Sequence, residues 1–216
     1  MGTSYTPEGY GAIRGGCQQS AAAVVPILHD LVAPTRVVDV GGGEGWWAVQ
    51  FAILGCEATV VDDSSPEHAK IRGVRFERSD LSADPAVIPE ADLALCLEVA
   101  EHLPETSARS LIGALCGSAP VIAFSAAIPG QGGHMHVNEQ WPEYWADLFY
   151  ANGYVMSECL RDEFWDDPAV EPWYRQNLLL ASSADWFDDH GIEFTRYPRA
   201  VVHPAIFTDM REMLSR

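Results

Sequence analysis

A cluster of glycines directly after a short apolar run is the feature that most constrains the fold of this chain. The run is Arg36–Val40, and the cluster after it reads Gly41-Gly42-Gly43-Glu44-Gly45. Glycines between a strand and a helix let the backbone approach a ligand closely. Nicotinamide dinucleotide enzymes use Gly-x-Gly-x-x-Gly there and place a pyrophosphate against the helix N-terminus. This loop reads Gly-x-Gly-x-Gly, and its Glu44 would repel a pyrophosphate, so it predicts a ligand without phosphate.

Short apolar runs alternate with helical stretches along most of the 216 residues. This order predicts parallel βαβ units in a doubly wound α/β sheet. The predicted strands are Arg36–Val40, Ala58–Val61, Val74–Arg78, Asp92–Leu97, Val121–Ala126, Tyr154–Leu160 and Leu178–Ser182. The predicted helices are Ser20–Leu31 with Ser20 as its N-cap, Trp46–Leu54, Pro66–Ile71, Pro104–Cys116, Gln140–Asn152 and a terminal helical stretch.

Composition narrows the class of protein and of partner. The net charge is −18, which disfavours a nucleic-acid partner because such a surface repels phosphates, and leaves a small molecule as the expected substrate. No run approaches the roughly 18 apolar residues of a membrane helix, and the N-terminus lacks the parts of a signal peptide. We therefore expect a cytoplasmic protein without membrane contact. The five cysteines include no Cys-x-x-Cys pair, which argues against a disulfide framework and a thiolate zinc site.

Acidic residues follow the next two predicted strands. Asp62 and Asp63 end the second strand, and Asp80 with Leu81 follows the third. The carboxyl ends of parallel strands form the edge where ligands bind in open α/β sheets. A carboxylate there can accept hydrogen bonds from ribose hydroxyls or from an adenine amino group. Each acid by itself is equally typical of a helix cap or a turn.

From about Arg36 to Ser182 the chain resembles the class I S-adenosylmethionine-dependent methyltransferases. The resemblance rests on four segments, which are Val38–Gly45, Val61-Asp62-Asp63-Ser64, Ser79-Asp80-Leu81 and Asp92–His102. It implies a Rossmann-like, doubly wound, seven-stranded mixed sheet whose last strand, Leu178–Ser182, is antiparallel. It also implies S-adenosylmethionine as the cofactor, which carries no phosphate and therefore tolerates Glu44.

The resemblance further implies which residues hold the cofactor. They are Gly41, Gly42, Gly43, Asp62, Asp63, Asp80, Leu81 and Glu98. In this interpretation the glycines border the methionine moiety, Asp62 binds the ribose, and Asp80 with Leu81 frames the adenine. We expect one domain over residues 1–216, in which 1–35 form an N-terminal helix and lid, 36–183 the cofactor-binding core and 184–216 a C-terminal extension.

A second motif, Glu98-x-x-Glu101-His102, follows the fourth predicted strand, and His134 and His136 follow the fifth. The motif is similar to that of ubiquinone-biosynthesis O-methyltransferases, and the later histidines are similar to those of small-RNA 2′-O-methyltransferases. Both resemblances imply Mg2+ held by these five residues, where a metal would lower the pKa of a hydroxyl nucleophile. Without a metal, His102, His134 or His136 is the candidate general base. In that case we expect Glu98 to contact the methionine end of the cofactor. If His134 and His136 have no catalytic role, they are surface residues of their loop.

Aromatic residues beside carboxylates flank the segment Asp162–Pro172, where relatives of this kind carry substrate-recognition insertions. This combination suits a sugar ring or a cationic metabolite, and equally a solvated loop. The expected function is methylation of a hydroxyl on a sugar, a polyol or a natural product. The alternatives are a small-molecule N-methyltransferase without metal and a non-catalytic S-adenosylmethionine-binding regulatory subunit.

Overall fold

The computed structural model describes residues 7–63, 73–82 and 87–214, and the side chains of these residues from 15 to 211. A seven-stranded sheet forms its centre, with strand order β3-β2-β1-β4-β5-β7-β6. β7 runs antiparallel to both β5 and β6, whereas the other neighbouring pairs are parallel. The predicted mixed sheet with an antiparallel last strand is therefore confirmed. The strands are β1 Arg36–Val40, β2 Glu57–Asp62, β3 Val74–Arg78, β4 Leu93–Leu97, β5 Val121–Ser125, β6 Val155–Ser157 and β7 Leu179–Ser182.

Helices cover both faces of the sheet, so the central strands are apolar throughout. Every residue of β4 and β5 is buried. One face packs against α3 and α4 through residues such as Leu111 and Phe149, and the other packs against Leu28, Phe51 and Phe187. The helices are α1 Pro7–Val32, α2 Trp46–Ile53, α3 Glu105–Ser118, α4 Pro142–Ala151, α5 Cys159–Phe164, α6 Pro172–Asn177, α7 Ala184–His190 and α8 Pro204–Leu214, with a 3-10 turn at Ala100–His102.

Two predicted elements differ from the structure. The first helix does not start at Ser20 but at Pro7, and the Ser20 hydroxyl lies mid-helix, where it accepts a hydrogen bond from the Glu171 amide at 2.9 Å. The strand predicted to reach Leu160 ends at Ser157, whose hydroxyl accepts from the amide of Cys159, the first residue of α5. The hydrogen bonds that the Ser20 and Ser157 hydroxyls make in the folded chain are not recorded by the apolar pattern. The predicted helix Pro66–Ile71 lies outside the described residues.

The C-terminal extension is attached to the core through a buried arginine. Arg161 in α5 donates to the Glu158 carboxylate at 2.8 Å and to the backbone carbonyl of Arg199 at 3.0 Å. Arg199 in turn binds Glu158 with both its amide and its guanidinium, and pairs with Asp162. A buried charge needs this degree of pairing. Across the described part of the chain, no helix combines the length and apolar character that crossing a bilayer requires.

Candidate active site

The glycine loop turns sharply between β1 and α2. Gly41 and Gly45 adopt φ values of 71° and 80°, which favour glycine. A side chain at Gly41 would overlap the Val99 methyl groups, and one at Gly42 would overlap the Asp39 carboxylate. The loop therefore requires glycine for two reasons, its backbone conformation and the close approach of its neighbours.

Two buried carboxylates support this loop. Asp39 accepts from the Ala48 amide at 3.3 Å, and burial raises its pKa to about 7. Asp62, at the end of β2, is 7% exposed and accepts from the Gly43 amide at 2.9 Å. Asp62 thus lies against the glycine loop, as the predicted cofactor site requires. Asp63 is half-buried beside it.

Asp80 lies at the same sheet edge but in a different setting. Its carboxylate is exposed and accepts hydrogen bonds from the Ser82 amide at 2.9 Å and the Ser82 hydroxyl at 2.6 Å. These bonds lower the pKa of Asp80. Asp80 therefore has the geometry of a turn residue, which was one of the two predicted roles. The neighbouring Leu81 is buried.

Glu98 follows β4 in a left-handed conformation with φ 56°, which is uncommon outside glycine. Its carboxylate accepts from the Asn177 side-chain amide at 3.1 Å and from the Gln131 side-chain amide at 3.3 Å. Gln131 also accepts from Gln176, at 2.9 Å. Burial raises the pKa of Glu98 to about 7.

Three of the five predicted metal ligands come together. Glu101, His102 and His136 offer ligand atoms that all lie within 4.8 Å of one another. Within the described residues, this is the cluster of at least three acidic, histidine or cysteine side chains that could hold a metal ion. Glu98 and His134 do not belong to it. The Glu98 carboxylate is held by Asn177 and Gln131, and the His134 side chain is exposed.

Glu101 is fully buried, although it is a carboxylate. One of its oxygens, Oε1, accepts from the Ala127 amide at 3.2 Å, and the Glu101 carboxyl also hydrogen-bonds to the Glu98 carboxylate, which requires a proton on the pair. Burial and the charge of Glu98 both raise the pKa of Glu101. A buried acceptor in this state is costly unless a proton or a cation satisfies it.

The two imidazoles of the group meet edge to face with ring centroids 4.8 Å apart. A ring nitrogen of His102 hydrogen-bonds to the backbone of Met135, and burial lowers the pKa of His102 to about 4. His136 Nδ1 lies 2.9 Å from Glu139 Oε1. Each ring thus has one nitrogen engaged, which is the arrangement that orients histidine as a metal ligand or a base.

Sequence reasoning missed several residues that shape the site. Glu139 and Met135 orient the two imidazoles, while Gln131 and Asn177 hold Glu98. Glu139 lies three positions after His136, and this spacing allows the two side chains to hydrogen-bond when the segment between them forms a turn. Asn177 lies 79 positions from Glu98, and no local pattern records such a contact.

The donor set fits a divalent cation. One carboxylate and two imidazoles, each anchored through its other polar atom, match the ligands of first-row divalent ions. The fully buried Glu101 carboxylate is an acceptor that such an ion would satisfy in place of a proton. In the metal-free state, a neutral imidazole in this group can accept a proton.

Comparisons with known proteins agree with this fold. Residues 17–119 match the family model of a methyltransferase domain. Among solved structures, magnesium protoporphyrin IX methyltransferase from Synechocystis PCC 6803 with bound S-adenosylhomocysteine has a TM-score of 0.59 and 19% identity, covering 85% of this chain and 90% of that one. CalS10, an amino pentose methyltransferase from Micromonospora echinaspora, has a TM-score of 0.59 and 16% identity, covering 85% and 100%.

The methyltransferase domain of a bacterial Hen1 protein has a TM-score of 0.56 and 19% identity, covering 78% of this chain and 100% of that one. At these identities, the solved structures establish the fold. A search of curated proteins finds no significant match.

Proposed function

We propose that this chain, an S-adenosylmethionine-dependent methyltransferase of class I, methylates a hydroxyl group of a small molecule. The observation that carries the proposal is the group of Glu101, His102 and His136 at the sheet edge that also holds the glycine loop. A hydroxyl is a weak nucleophile at neutral pH and needs such a group, whereas an amine needs less activation and no metal. The net charge of −18 supports a small acceptor over a polyanionic one.

The cofactor in this proposal lies across the glycine loop. Gly41, Gly42 and Gly43 border its methionine moiety, and Asp62 with Asp63 binds the ribose. Leu81 and Asp80 frame the adenine, and Glu98 faces the methionine end. The buried Asp62 carboxylate next to the Gly43 amide supports this assignment most directly.

The reaction is an in-line displacement that depends mainly on positioning. The acceptor oxygen attacks the sulfonium methyl carbon, the bond from that carbon to sulfur breaks, and S-adenosylhomocysteine leaves. The hydroxyl proton passes to an imidazole. His136 is the favoured base because Glu139 bonds its Nδ1 and so stabilises the protonated ring. His102 and the exposed His134 are the further candidates.

Glu101, His102 and His136 would also hold a divalent cation, as their geometry supports. A bound cation would lower the pKa of an acceptor hydroxyl. Two nitrogen ligands favour a first-row ion such as Mn2+ over Mg2+, because Mg2+ prefers oxygen ligands. In either state the chain's own residues fix the acceptor oxygen near the methyl group.

The test measures S-adenosylhomocysteine formation with a panel of acceptors that bear sugar hydroxyls, vicinal diols or amines. Each acceptor is assayed after EDTA treatment and after addition of Mg2+ or Mn2+. We expect turnover of a hydroxyl acceptor that EDTA abolishes and Mn2+ restores. EDTA-insensitive turnover of an amine acceptor would establish the N-methyltransferase alternative instead. Tight S-adenosylhomocysteine binding without turnover of any acceptor would favour the regulatory-subunit alternative.

A further inference from the structure

The segment of residues 130–139, here called the histidine loop, is organised around a carboxylate at its end. Glu139 accepts hydrogen bonds from the Gly130 amide at 2.7 Å and from the Gly132 amide at 3.0 Å. The same carboxylate lies 2.9 Å from Nδ1 of His136. One side chain thus binds the loop at its start, near its middle and at the histidine that enters the site.

The backbone of the histidine loop has the shape that this carboxylate requires. Gly130 and Gly132 both adopt positive φ, 84° and 73°, which points their amides towards one acceptor. A side chain at Gly133 would overlap the His136 ring. His136 and Glu139 are largely buried, with side-chain exposures of 11% and 19%. Their contact is therefore a built part of the site and not a surface ion pair.

We propose that Glu139 is a positioning residue of the acceptor side, which keeps the proton of His136 on Nδ1 and leaves Nε2 as the base or ligand atom. A carboxylate accepts hydrogen bonds and does not donate them when ionised, so the ring nitrogen that faces it carries the proton. Glu139 acts through His136 and through the loop amides. The inference rests on the proposed function in that it treats the group of Glu101, His102 and His136 as the acceptor-side machinery.

His102 is oriented by a parallel device that uses backbone. Its ring bonds to the backbone of Met135, which adopts φ 61°, a left-handed conformation that is uncommon outside glycine. Because Met135 directly precedes His136, the loop shape that Glu139 fixes also sets the position of this backbone group. The two imidazoles are therefore positioned together by one loop.

The experiment compares Glu139→Ala and Glu139→Gln with Glu143→Gln, an exposed glutamate one turn further on. Nitrogen-15 NMR of the S-adenosylhomocysteine-bound protein reports the tautomer of His136, and Co2+ alone is titrated as the metal probe. We expect the Nδ1–H tautomer in the wild-type protein and its loss in E139A. Co2+ affinity falls about 10–100-fold in E139A and by less in E139Q. S-adenosylhomocysteine affinity stays at the wild-type value, and E143Q is unchanged throughout.

An E139A protein with the wild-type tautomer and the wild-type Co2+ affinity would overturn the positioning role. If E139A misfolds and no longer binds S-adenosylhomocysteine, E139Q is the variant that tests the positioning role. An unchanged Co2+ affinity in E139Q would then overturn that role. A wild-type protein that binds no Co2+ would refute the metal part of the proposed function alone. The tautomer comparison would then decide the role of Glu139 without reference to a metal.

Discussion

The half of the site that we assign to the cofactor, here the cofactor half, and the half that we assign to the acceptor, here the acceptor half, lie at one edge of the sheet, but the chain builds them in different ways. The cofactor half comprises the glycine loop, Asp62 and Asp80, each directly at the end of one of the first three strands. The acceptor half comprises Glu101, His102 and the histidine loop. Its shape depends on contacts such as Glu98 with Asn177, which are far apart in sequence.

The two halves also differ in what holds them. Backbone conformation and close packing shape the glycine loop, where glycine is required. Hydrogen bonds between side chains and loop amides shape the acceptor half, where Glu139 alone accepts three. Damage to a residue that belongs to one half alone should therefore leave the other half largely intact, whereas Glu98 acts on both, since we assign it to the cofactor and its charge raises the pKa of Glu101.

The largest expected effect follows from replacing His136 by alanine. Turnover of an acceptor that the panel identifies should fall about 10²–10⁴-fold, because the variant lacks the favoured base and a candidate ligand. S-adenosylhomocysteine affinity, measured by calorimetry, should change by less than about twofold. His190→Ala is the matched control, since His190 is exposed and bonds within α7. A parallel loss of S-adenosylhomocysteine affinity in H136A would show that the halves are coupled.

The same contrast explains which parts the sequence predicts. The strand-to-helix turn with its glycines, the acid at the end of β2 and the alternation of strands and helices are local patterns, so the sequence predicts the sheet and the place of the glycine loop and Asp62 at its edge. Glu139 forms its bonds only once the histidine loop has folded, and Asn177 reaches Glu98 only through the packing of α6. The Ser20 hydroxyl, predicted as a helix cap, bonds instead to the distant Glu171 amide from the middle of α1, a contact that a propensity pattern does not record.

A second prediction concerns the cost of burying an acid beneath the cofactor half. The pKa of Asp39 is raised to about 7, so the folded chain binds its proton more tightly than the unfolded chain does. The stability this gives is present below about pH 4 and is lost as the pH rises through 7. Asp39→Asn should therefore raise the free energy of unfolding at pH 8 by on the order of 2–4 kcal/mol relative to wild type, with little gain at pH 4.5.

Urea unfolding at both pH values measures this difference. Asp92→Asn serves as the control of opposite sign, because hydrogen bonds from the Arg36 and Thr35 amides lower the pKa of Asp92. That variant should lose stability at pH 8. An Asp39→Asn protein that is less stable than wild type at pH 8 would contradict the assigned cost.

A third prediction distinguishes the effect of backbone strain on stability from the effect of the glycine loop's shape on cofactor affinity. Gly41→Ala combines a positive φ with overlap against Val99, and S-adenosylhomocysteine affinity should fall about 100-fold. Gly55→Ala has the same kind of φ, 95°, but open space around the added carbon. It should cost about 1 kcal/mol of stability and leave S-adenosylhomocysteine affinity unchanged. Equal S-adenosylhomocysteine affinities of the two variants would show that the shape of the glycine loop has no special role in cofactor binding.

The smallest expected effect distinguishes two acids within the cofactor half. Asp80 is exposed and bonded to Ser82, and Asn at this position keeps an oxygen for those bonds, so Asp80→Asn should change S-adenosylhomocysteine affinity by less than about threefold. Asp62→Asn should lose about 10–100-fold, because a buried charged acceptor of an amide hydrogen bond contributes roughly 1.5–3 kcal/mol. A loss in D80N as large as that in D62N would mean that the Asp80 carboxylate leaves Ser82 to bind the adenine. Cofactor binding would then depend on a side-chain rearrangement. The cofactor half, like the acceptor half, would be shaped partly by side-chain hydrogen bonds and not by backbone conformation alone.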